Sequence, residues 1–309
     1  MRTIITLFLV LGITVSFGQK KQVCFSYDDL PFVNYGISDS TYQKQMVDKL
    51  IVSLKMNGIP AIGFVNEGKL YDKDGIIPFK YNMLKNWFNS GLELGNHTWS
   101  HPDYNRVSLF EFTQNILMGE KITKEILAKE GKTIKYFRHP FLHVGNTNAR
   151  ADSLDSFLVN HGYTVAPVTI DNEDYLFAVA YKRAKVKNDS ALFSRIGVDY
   201  IDYMERKLKY YEKLSENLFG RNIAQILLLH ASMLNSDFTD SLAVLFRRNN
   251  YEFVSMGKVL EDKAYESKID YYSNCGVSWV DKWALTKRKN GAFFKDEPLI
   301  PDYIKRLAE

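Results

Sequence analysis

Cysteine is nearly absent from this chain, since only two occur among its 309 residues. So few cysteines exclude a fold held together by several disulfide bonds. Glycine and proline are also sparse, at 18 and 8 residues, while 46% of the residues are apolar. This balance excludes a collagen-like, low-complexity or mainly disordered chain. Cys24 and Cys275 could form one disulfide or stay free, and the sequence leaves both options open.

A strong excess of either charge is also lacking. The chain has 40 Lys and Arg against 36 Asp and Glu, and these are evenly spread. A nucleic-acid partner is therefore not expected, because nucleic-acid-binding domains carry clustered basic residues.

Long apolar runs are missing except at the start of the chain. Residues 4–15 form an apolar run of 12 residues that follows a basic start and precedes Ser16, Phe17 and Gly18, two of which are small. This order is typical of a secretory signal peptide. The alternative, an uncleaved membrane anchor, is disfavoured because a spanning helix needs about 20 residues. We expect residues 1–18 to be removed, leaving a secreted or periplasmic bacterial protein without stable membrane insertion.

Apolar strands alternate with amphipathic helices over most of the remaining chain. This alternation predicts parallel βα units. A barrel is favoured because such barrels use about 250 residues. An open doubly wound sheet is the alternative, but no G-x-G-x-x-G or P-loop follows any strand. The fold class is thus α/β, a distorted (β/α) barrel with about seven parallel strands, at 22–27, 61–65, 92–96, 134–137, 164–170, 224–229 and 251–254.

The chain is expected to contain one large domain and an extension. The predicted barrel covers residues 19–263, and residues 264–309 form a tyrosine-rich C-terminal extension packed on it. Within the barrel, the apolar pattern of residues 109–129 predicts one long helix. Four aromatic residues could pack in the core or stack on sugar rings, and core packing is the favoured interpretation: Trp99, Tyr104, Trp279 and Trp283.

Polar side chains follow the predicted strands at their carboxyl ends. In parallel α/β folds these ends meet at one face, where active sites form. The candidate functional residues at these ends are Asp28, Asp29, His97, His101, Arg138, Asp171, Asp174 and His230.

Two of these groups suggest a metal site. Adjacent carboxylates at Asp28 and Asp29 repel each other unless a metal or an arginine offsets their charge, although a solvated turn is the simpler alternative. His97 and His101 are four residues apart, which places both imidazoles on one helical face or one tight loop. Thr98 stands where a zincin motif needs glutamate, which excludes a thermolysin-like base.

The remaining candidates suggest acid–base chemistry. Arg138 could orient a carboxylate through two hydrogen bonds, or it could be a surface arginine. His230 ends an apolar strand and could act as a general acid, although a lone histidine there is more often a core residue.

Five segments in order resemble the motifs of the polysaccharide deacetylases of carbohydrate esterase family 4, the NodB-homology fold. SYDDLP resembles T-F-D-D-G-P, and HTWSHP resembles H-[ST]-x-x-H-P. RHPF resembles R-x-P-[FY], DNEDY resembles D-x-x-D-[WY], and LLLH resembles L-x-L-H. The segments are residues 26–31, 97–102, 138–141, 171–175 and 227–230.

The resemblance implies a role for each matching residue. Asp29, His97 and His101 would hold one divalent metal ion, most commonly zinc. Asp28 would be the general base and Arg138 would orient it. His230 would be the general acid, tuned by Asp174. The backbone N–H of Phe141 would bind the oxyanion, and Leu228 would line the pocket for the acetyl methyl group.

The implied activity is removal of N-acetyl or O-acetyl groups from a glycan, such as peptidoglycan or a chitin-like oligomer. Two alternatives remain. One is a same-fold amidase acting on a small non-sugar amide, which a closed pocket would indicate. The other is an inactive glycan-binding barrel, which would normally have lost a metal ligand.

Three positions of the first motif depart from the family pattern, of which Ser26 and Tyr27 are mild replacements of threonine and phenylalanine. Leu30 replaces the usual glycine of the first motif, which we expect to change backbone freedom beside Asp29 and to add bulk at the rim. His139 is expected to add polar bulk beside the oxyanion segment.

Overall fold

A computed structural model describes residues 20–309 of the chain. The predicted signal peptide, residues 1–18, lies outside the described residues. Across the part that is described, no helix has both the length and the apolar character needed to cross a membrane.

Strands and helices alternate along the chain as expected. The strands are β1 (Lys21–Val33), β2 (Ile62–Val65), β3 (Tyr71–Asp72), β4 (Gly75–Ile76), β5 (Glu93–Asn96), β6 (Tyr136–Phe137), β7 (Thr164–Val165), β8 (Gln225–Ser232) and β9 (Tyr251–Phe253). The helices are α1 (Ser40–Met56), α2 (Pro78–Asn89), α3 (Leu109–Met118), α4 (Lys121–Ala128), α5 (Asn148–Asn160), α6 (Asp174–Val186), α7 (Ser190–Phe219), α8 (Met233–Arg248), α9 (Met256–Val259), α10 (Trp279–Thr286), α11 (Gly291–Phe294) and α12 (Asp302–Ala308).

The main sheet has seven strands in the order β7-β6-β5-β2-β1-β8, with β9 beside the start of β1. Every pair in this sheet is parallel. The segment after β7 reaches both edges of the sheet. Ala166 N–H donates to Phe137 O at 2.8 Å, and Leu228 N–H donates to Ile170 O at 3.2 Å. The sheet therefore curves into an incomplete barrel, which confirms the predicted fold class.

Strand β1 lies at the centre of the sheet and of the core. Val23, Phe25 and Tyr27 are fully buried, as expected for a parallel strand covered on both faces. The register between β1 and β2 shifts between Tyr27 and Leu30. Asp28 and Asp29 lie at this irregularity, so their carboxylates are at the carboxyl end of the barrel.

The prediction of one helix over 109–129 is wrong, because α3 ends at Met118 and α4 begins at Lys121. Gly119 lies at the break, where an added Cβ would be 2.5 Å from the carbonyl carbon of Thr98. The loop that carries His97 and His101 therefore rests directly on the break. Apolar periodicity continues through it because both helices bury residues in the same core.

The C-terminal extension packs on the barrel through α10. Trp279, Val280 and Trp283 of this helix are buried, and the Trp283 ring meets Phe219 of α7 edge to face at 5.5 Å. Tyr104 is also buried. Tyr104, Trp279 and Trp283 therefore pack in the core as favoured, whereas Trp99 is half-buried. The boundary at residue 264 remains a prediction. Cys24 is buried and Cys275 exposed, and both are free thiols.

Candidate active site

A cavity of about 880 Å³ opens at the carboxyl ends of the strands. Arg138 and Asp174 lie buried directly behind it and bond to residues that face it. The structure thus brings together every candidate site residue. Those that line the cavity are Asp28, Asp29, His97, His101, Phe141, Asp171, Leu228 and His230.

Asp29, His97 and His101 converge on one point. The Nε2 atoms of His97 and His101 each lie 3.9 Å from Asp29 Oδ1. The ligand atoms of the three residues are all within 4.8 Å of one another. Within residues 20–309, the buried Asp29 Oδ1 has no hydrogen-bond partner. Two imidazoles and an unpaired carboxylate oxygen fit a divalent ion such as zinc, whose bonds to these atoms are about 2 Å long.

The backbone of these segments is unusual. Asp29, Thr98 and His101 have φ angles of 68°, 69° and 58°, in the left-handed region that non-glycine residues rarely adopt. Side chains support this conformation: Thr98 N–H donates to Asn96 Oδ1 at 2.7 Å, and His101 N–H donates to Thr98 Oγ1 at 3.1 Å. Such strain is concentrated at functional sites in proteins.

His97 is held in the form that a metal ligand requires. Its Nδ1 lies 2.8 Å from the Arg138 carbonyl oxygen, which can only accept a hydrogen bond. Nδ1 therefore carries the proton, and the lone pair of Nε2 faces Asp29. Burial holds the pKa of His97 well below its ordinary value, and burial also lowers the pKa of His101. Both imidazoles are thus favoured in the neutral form.

Asp28 is fixed by a buried arginine. Arg138 is 0% exposed, and its Nη1 lies 3.2 and 3.3 Å from the two carboxylate oxygens of Asp28. Its other nitrogens donate to Ser26 Oγ at 2.9 Å and Ala166 O at 2.8 Å. Burial raises the pKa of Asp28 to about 6, while Arg138 opposes this shift. Asp28 is thus a carboxylate near neutral pH, with an affinity for protons above the ordinary value.

His230 is paired with a fully buried carboxylate. Its Nδ1 lies 2.7 Å from Asp174 Oδ1, and its backbone N–H donates to Asp174 Oδ2 at 2.8 Å. Asn235 Nδ2 donates to the same Oδ2 at 2.7 Å. Burial lowers the pKa of His230, but Asp174, together with Asp29 and Asp28, outweighs burial and raises the pKa to about 9. His230 is therefore protonated at neutral pH and can serve as an acid.

Phe141 lies in a tight turn over residues 140–142. The φ angles of Phe141 and Leu142 are 57° and 55°. Among the described residues, no protein group accepts a hydrogen bond from the Phe141 N–H. Phe141 is 53% exposed, and its ring meets the His101 ring edge to face at 4.5 Å. A free amide N–H in a turn that contacts His101 is suited to act as an oxyanion donor.

Comparison with known proteins connects this site to a family. The family model for polysaccharide deacetylases matches residues 17–165. A chitin deacetylase from Colletotrichum lindemuthianum is 28% identical over 158 residues, which are 51% of this chain and 54% of that protein. A peptidoglycan-N-acetylglucosamine deacetylase from Bacillus cereus is 25% identical over 140 residues, 45% of this chain and 43% of that one. The chain thus spans about half the length of these curated relatives, or less.

The chain is similar to the polysaccharide deacetylase family over residues 17–165, which are just under half of its length. The solved structure of the Colletotrichum lindemuthianum chitin deacetylase shares its fold, with a TM-score of 0.52, 19% identity and coverage of 83% of this chain and 92% of that one. A family 4 carbohydrate esterase pseudoenzyme from Bacillus anthracis also shares the fold, with a TM-score of 0.50, 13% identity and coverage of 78% and 66%. The fold alone therefore does not decide whether a family member is active.

Two expectations about departures from the polysaccharide deacetylase motifs change with the structure. The expectation that Leu30 adds bulk at the rim is wrong. Leu30 is 1% exposed, and its side chain fills the space above Gly63, where an added Cβ would be 2.3 Å from Leu30 Cδ2. His139 does adjoin the turn over residues 140–142, but it is only 1% exposed and packs in the cavity wall near Trp279.

Some residues of this site were not among the sequence-based candidates. Ser26 bonds Arg138, Asn235 bonds Asp174, and Asn172 Nδ2 donates to Leu228 O at 2.7 Å. Lys69 contacts Asp29 and follows the strand 61–65, whose carboxyl end carries no candidate. The only signal in the sequence that could have identified Lys69 was its position after this strand, because a polar residue after a parallel strand lies at the active face.

Proposed function

We propose that this protein is a metal-dependent hydrolase that removes acetyl groups from an N-acetylated glycan. One observation carries the proposal. A single cavity brings together the Asp29, His97 and His101 cluster with two further pairs, Asp28 with Arg138 and His230 with Asp174. Family relatives named for chitin and for peptidoglycan N-acetylglucosamine support an acetylated glycan as the substrate.

The metal cluster supplies the electrophilic part of the chemistry. A divalent ion such as zinc, held by Asp29, His97 and His101, would polarise the acetyl carbonyl and lower the pKa of water. Asp28 accepts the proton of the attacking water, and Arg138 keeps its carboxylate in position. The water oxygen bonds to the acetyl carbon while the carbonyl oxygen becomes an oxyanion. The Phe141 N–H donates to that oxyanion, and one such donor contributes roughly 3 kcal/mol.

His230 completes the reaction as the acid. It donates a proton to the acetamide nitrogen, the C–N bond breaks, and the products are acetate and a free amine. Asp174 keeps His230 protonated until this step. No acyl-enzyme forms, since water attacks directly. The same groups would also cleave an acetyl ester.

The cavity rim supports a sugar substrate. The Phe141 and Tyr175 side chains are exposed at this rim and present ring faces on which a sugar can pack. Leu228 lines the cavity and offers an apolar contact for the acetyl methyl group. Acetylated cell-wall glycans lie outside the cytoplasm. The signal-peptide pattern of residues 1–18 is therefore consistent with a secreted or periplasmic enzyme.

A small non-sugar amide is the second candidate substrate. The observation that favours it is that the C-terminal extension lines one side of the cavity, through residues that include Val277, Leu285 and Phe294. An inactive glycan-binding barrel is disfavoured because the metal cluster, Asp28 and His230 are all present in one cavity.

An acetate-release assay tests the proposal. Purified protein is incubated with chitin oligomers, peptidoglycan, acetylxylan and small acetamides, with and without a chelator. We expect acetate from at least one N-acetylated glycan, and loss of release with chelator and in His230→Gln. His161→Gln is the matched control, because His161 is exposed at the end of α5. Release from small acetamides alone would support the second candidate, and no release by metal-loaded protein would contradict both.

A further inference from the structure

The turn that carries Phe141 needs support from outside itself. Phe141 and Leu142 are consecutive non-glycine residues with left-handed backbone conformations. Such residues are strained and persist only where the surroundings hold them in place. The contacts of this turn therefore decide where the Phe141 N–H lies.

Gly276 of the C-terminal extension lies directly against the turn. A Cβ added at Gly276 would be only 1.8 Å from Phe141 O and 3.0 Å from the Phe141 carbonyl carbon. The backbone of Gly276 is outside the left-handed region, so its conformation does not demand glycine. Glycine is required at this position because there is no room for a side chain, and any side chain would displace the turn.

Lys282 holds the next residue of the turn. It is 4% exposed, and its Nζ donates to Leu142 O at 3.2 Å and to Val277 O. One ammonium group thus joins the turn to the extension. Burial lowers the pKa of Lys282 to about 8, although Asp171 and Asp281 oppose that shift. Among the described residues, these two carbonyl oxygens are the hydrogen-bond acceptors of this buried amine.

Helix α10, which carries Lys282, is anchored by buried contacts. Val280 and Trp283 of α10 are buried in the core. Trp279 N–H donates to Val168 O at 2.7 Å, which ties the start of α10 to the segment that closes the barrel. Movement of Lys282 away from the turn would therefore break several buried contacts.

We propose that Gly276 and Lys282 are positioning residues that set the Phe141 N–H for oxyanion binding, so that the C-terminal extension is part of the active site. The inference rests on the proposed function, because both residues act through Phe141. They touch neither the metal cluster nor the acid. Loss of their contacts is therefore expected to slow turnover without changing metal binding.

Kinetics of paired variants test the inference. Gly276→Ala and Lys282→Met are compared with Gly291→Ala, where no atom lies within 4 Å of an added Cβ, and with Lys287→Met, an exposed lysine just beyond the same helix. We expect kcat to fall about 10- to 1,000-fold in the first pair, as when an oxyanion donor is lost. KM and metal content should stay near wild type, and the controls should be unchanged. Lys282→Gln keeps an N–H donor and should recover part of the rate.

Hydrogen exchange of residues 138–144 gives a second readout that does not need activity. Faster exchange is expected in Gly276→Ala and Lys282→Met but not in the two controls. If wild-type protein releases no acetate, the proposed function fails, while exchange still tests the contact. If wild-type protein is active and both variants keep its kcat and exchange, the positioning role is wrong. Should Lys282→Met fail to fold, Gly276→Ala and Lys282→Gln decide the question.

Discussion

Lys69 holds Asp29 at two points: its Nζ lies 3.4 Å from Asp29 Oδ2 and donates to Asp29 O at 3.1 Å. One amine thus holds both the Oδ2 atom of Asp29 and the left-handed backbone of the same residue. The other oxygen, Oδ1, is left free toward His97 and His101. Groups that orient metal ligands in this way commonly change metal affinity when removed.

The first prediction concerns this contact. Lys69→Met should weaken binding of a divalent ion about 10- to 100-fold, because Asp29 loses the group that orients it. Competition titration with a chromophoric chelator measures the affinity. Lys73→Met is the control, since Lys73 is exposed in a neighbouring turn. Equal affinities for wild type and Lys69→Met would show that Lys69 does not orient Asp29.

A second prediction identifies the metal ligands themselves. Dialysed protein should retain about one zinc or similar ion per chain, as a site with three protein ligands implies. His97→Gln and Asp29→Asn should each lose it, as measured by elemental analysis. His143→Gln should keep it, because His143 lines the same cavity but its Nδ1 bonds Asp103 Oδ1 at 2.6 Å. Full metal content in His97→Gln would rule out the proposed cluster.

The third prediction concerns pH. Since the pKa of His230 is raised to about 9, the acid is protonated below that pH, and kcat/KM should fall as the pH rises through it. Asp174→Asn removes the carboxylate that raises the pKa and leaves the burial that lowers it. The alkaline limb of the pH–rate profile should therefore move to lower pH. Asp152→Asn, at an exposed position, should not move it. An unmoved limb in Asp174→Asn would exclude His230 as the acid.

The fourth prediction concerns stability. Arg138→Met leaves the buried Asp28 carboxylate without its partner, and breaking such a pair costs about 3–5 kcal/mol of unfolding free energy. The double variant Asp28→Asn/Arg138→Met should lose less than the sum of the single losses, because no buried charge then remains unpaired. Chemical denaturation of the four proteins measures this difference. Strict additivity would mean that the two side chains are not coupled.

The strand pattern was predictable because each strand of the main sheet is an apolar run followed by polar residues. Buried parallel strands need such runs regardless of their neighbours. The break between α3 and α4 was not predictable in this way. Its cause is the backbone of Thr98 resting on Gly119, a contact between segments that are separate in the chain.

The candidate site shows the same division. His97, His101 and Asp29 stand in short motifs, and the ends of parallel strands meet at one face, so their convergence was predictable. Lys69 was not, because nothing local distinguishes it from an ordinary surface lysine.

The sequence by itself determined the residue types of the proposed metal cluster, base and acid, since these chemistries depend on which groups are present and on the strand ends that carry them. Only the tertiary structure decided that Leu30 enters the core and that Gly276 and Lys282 reach the Phe141 turn. It also decided the left-handed backbone of Asp29, Thr98 and His101. The reason is physical: these conformations are unfavourable locally and persist because contacts from distant segments stabilise them.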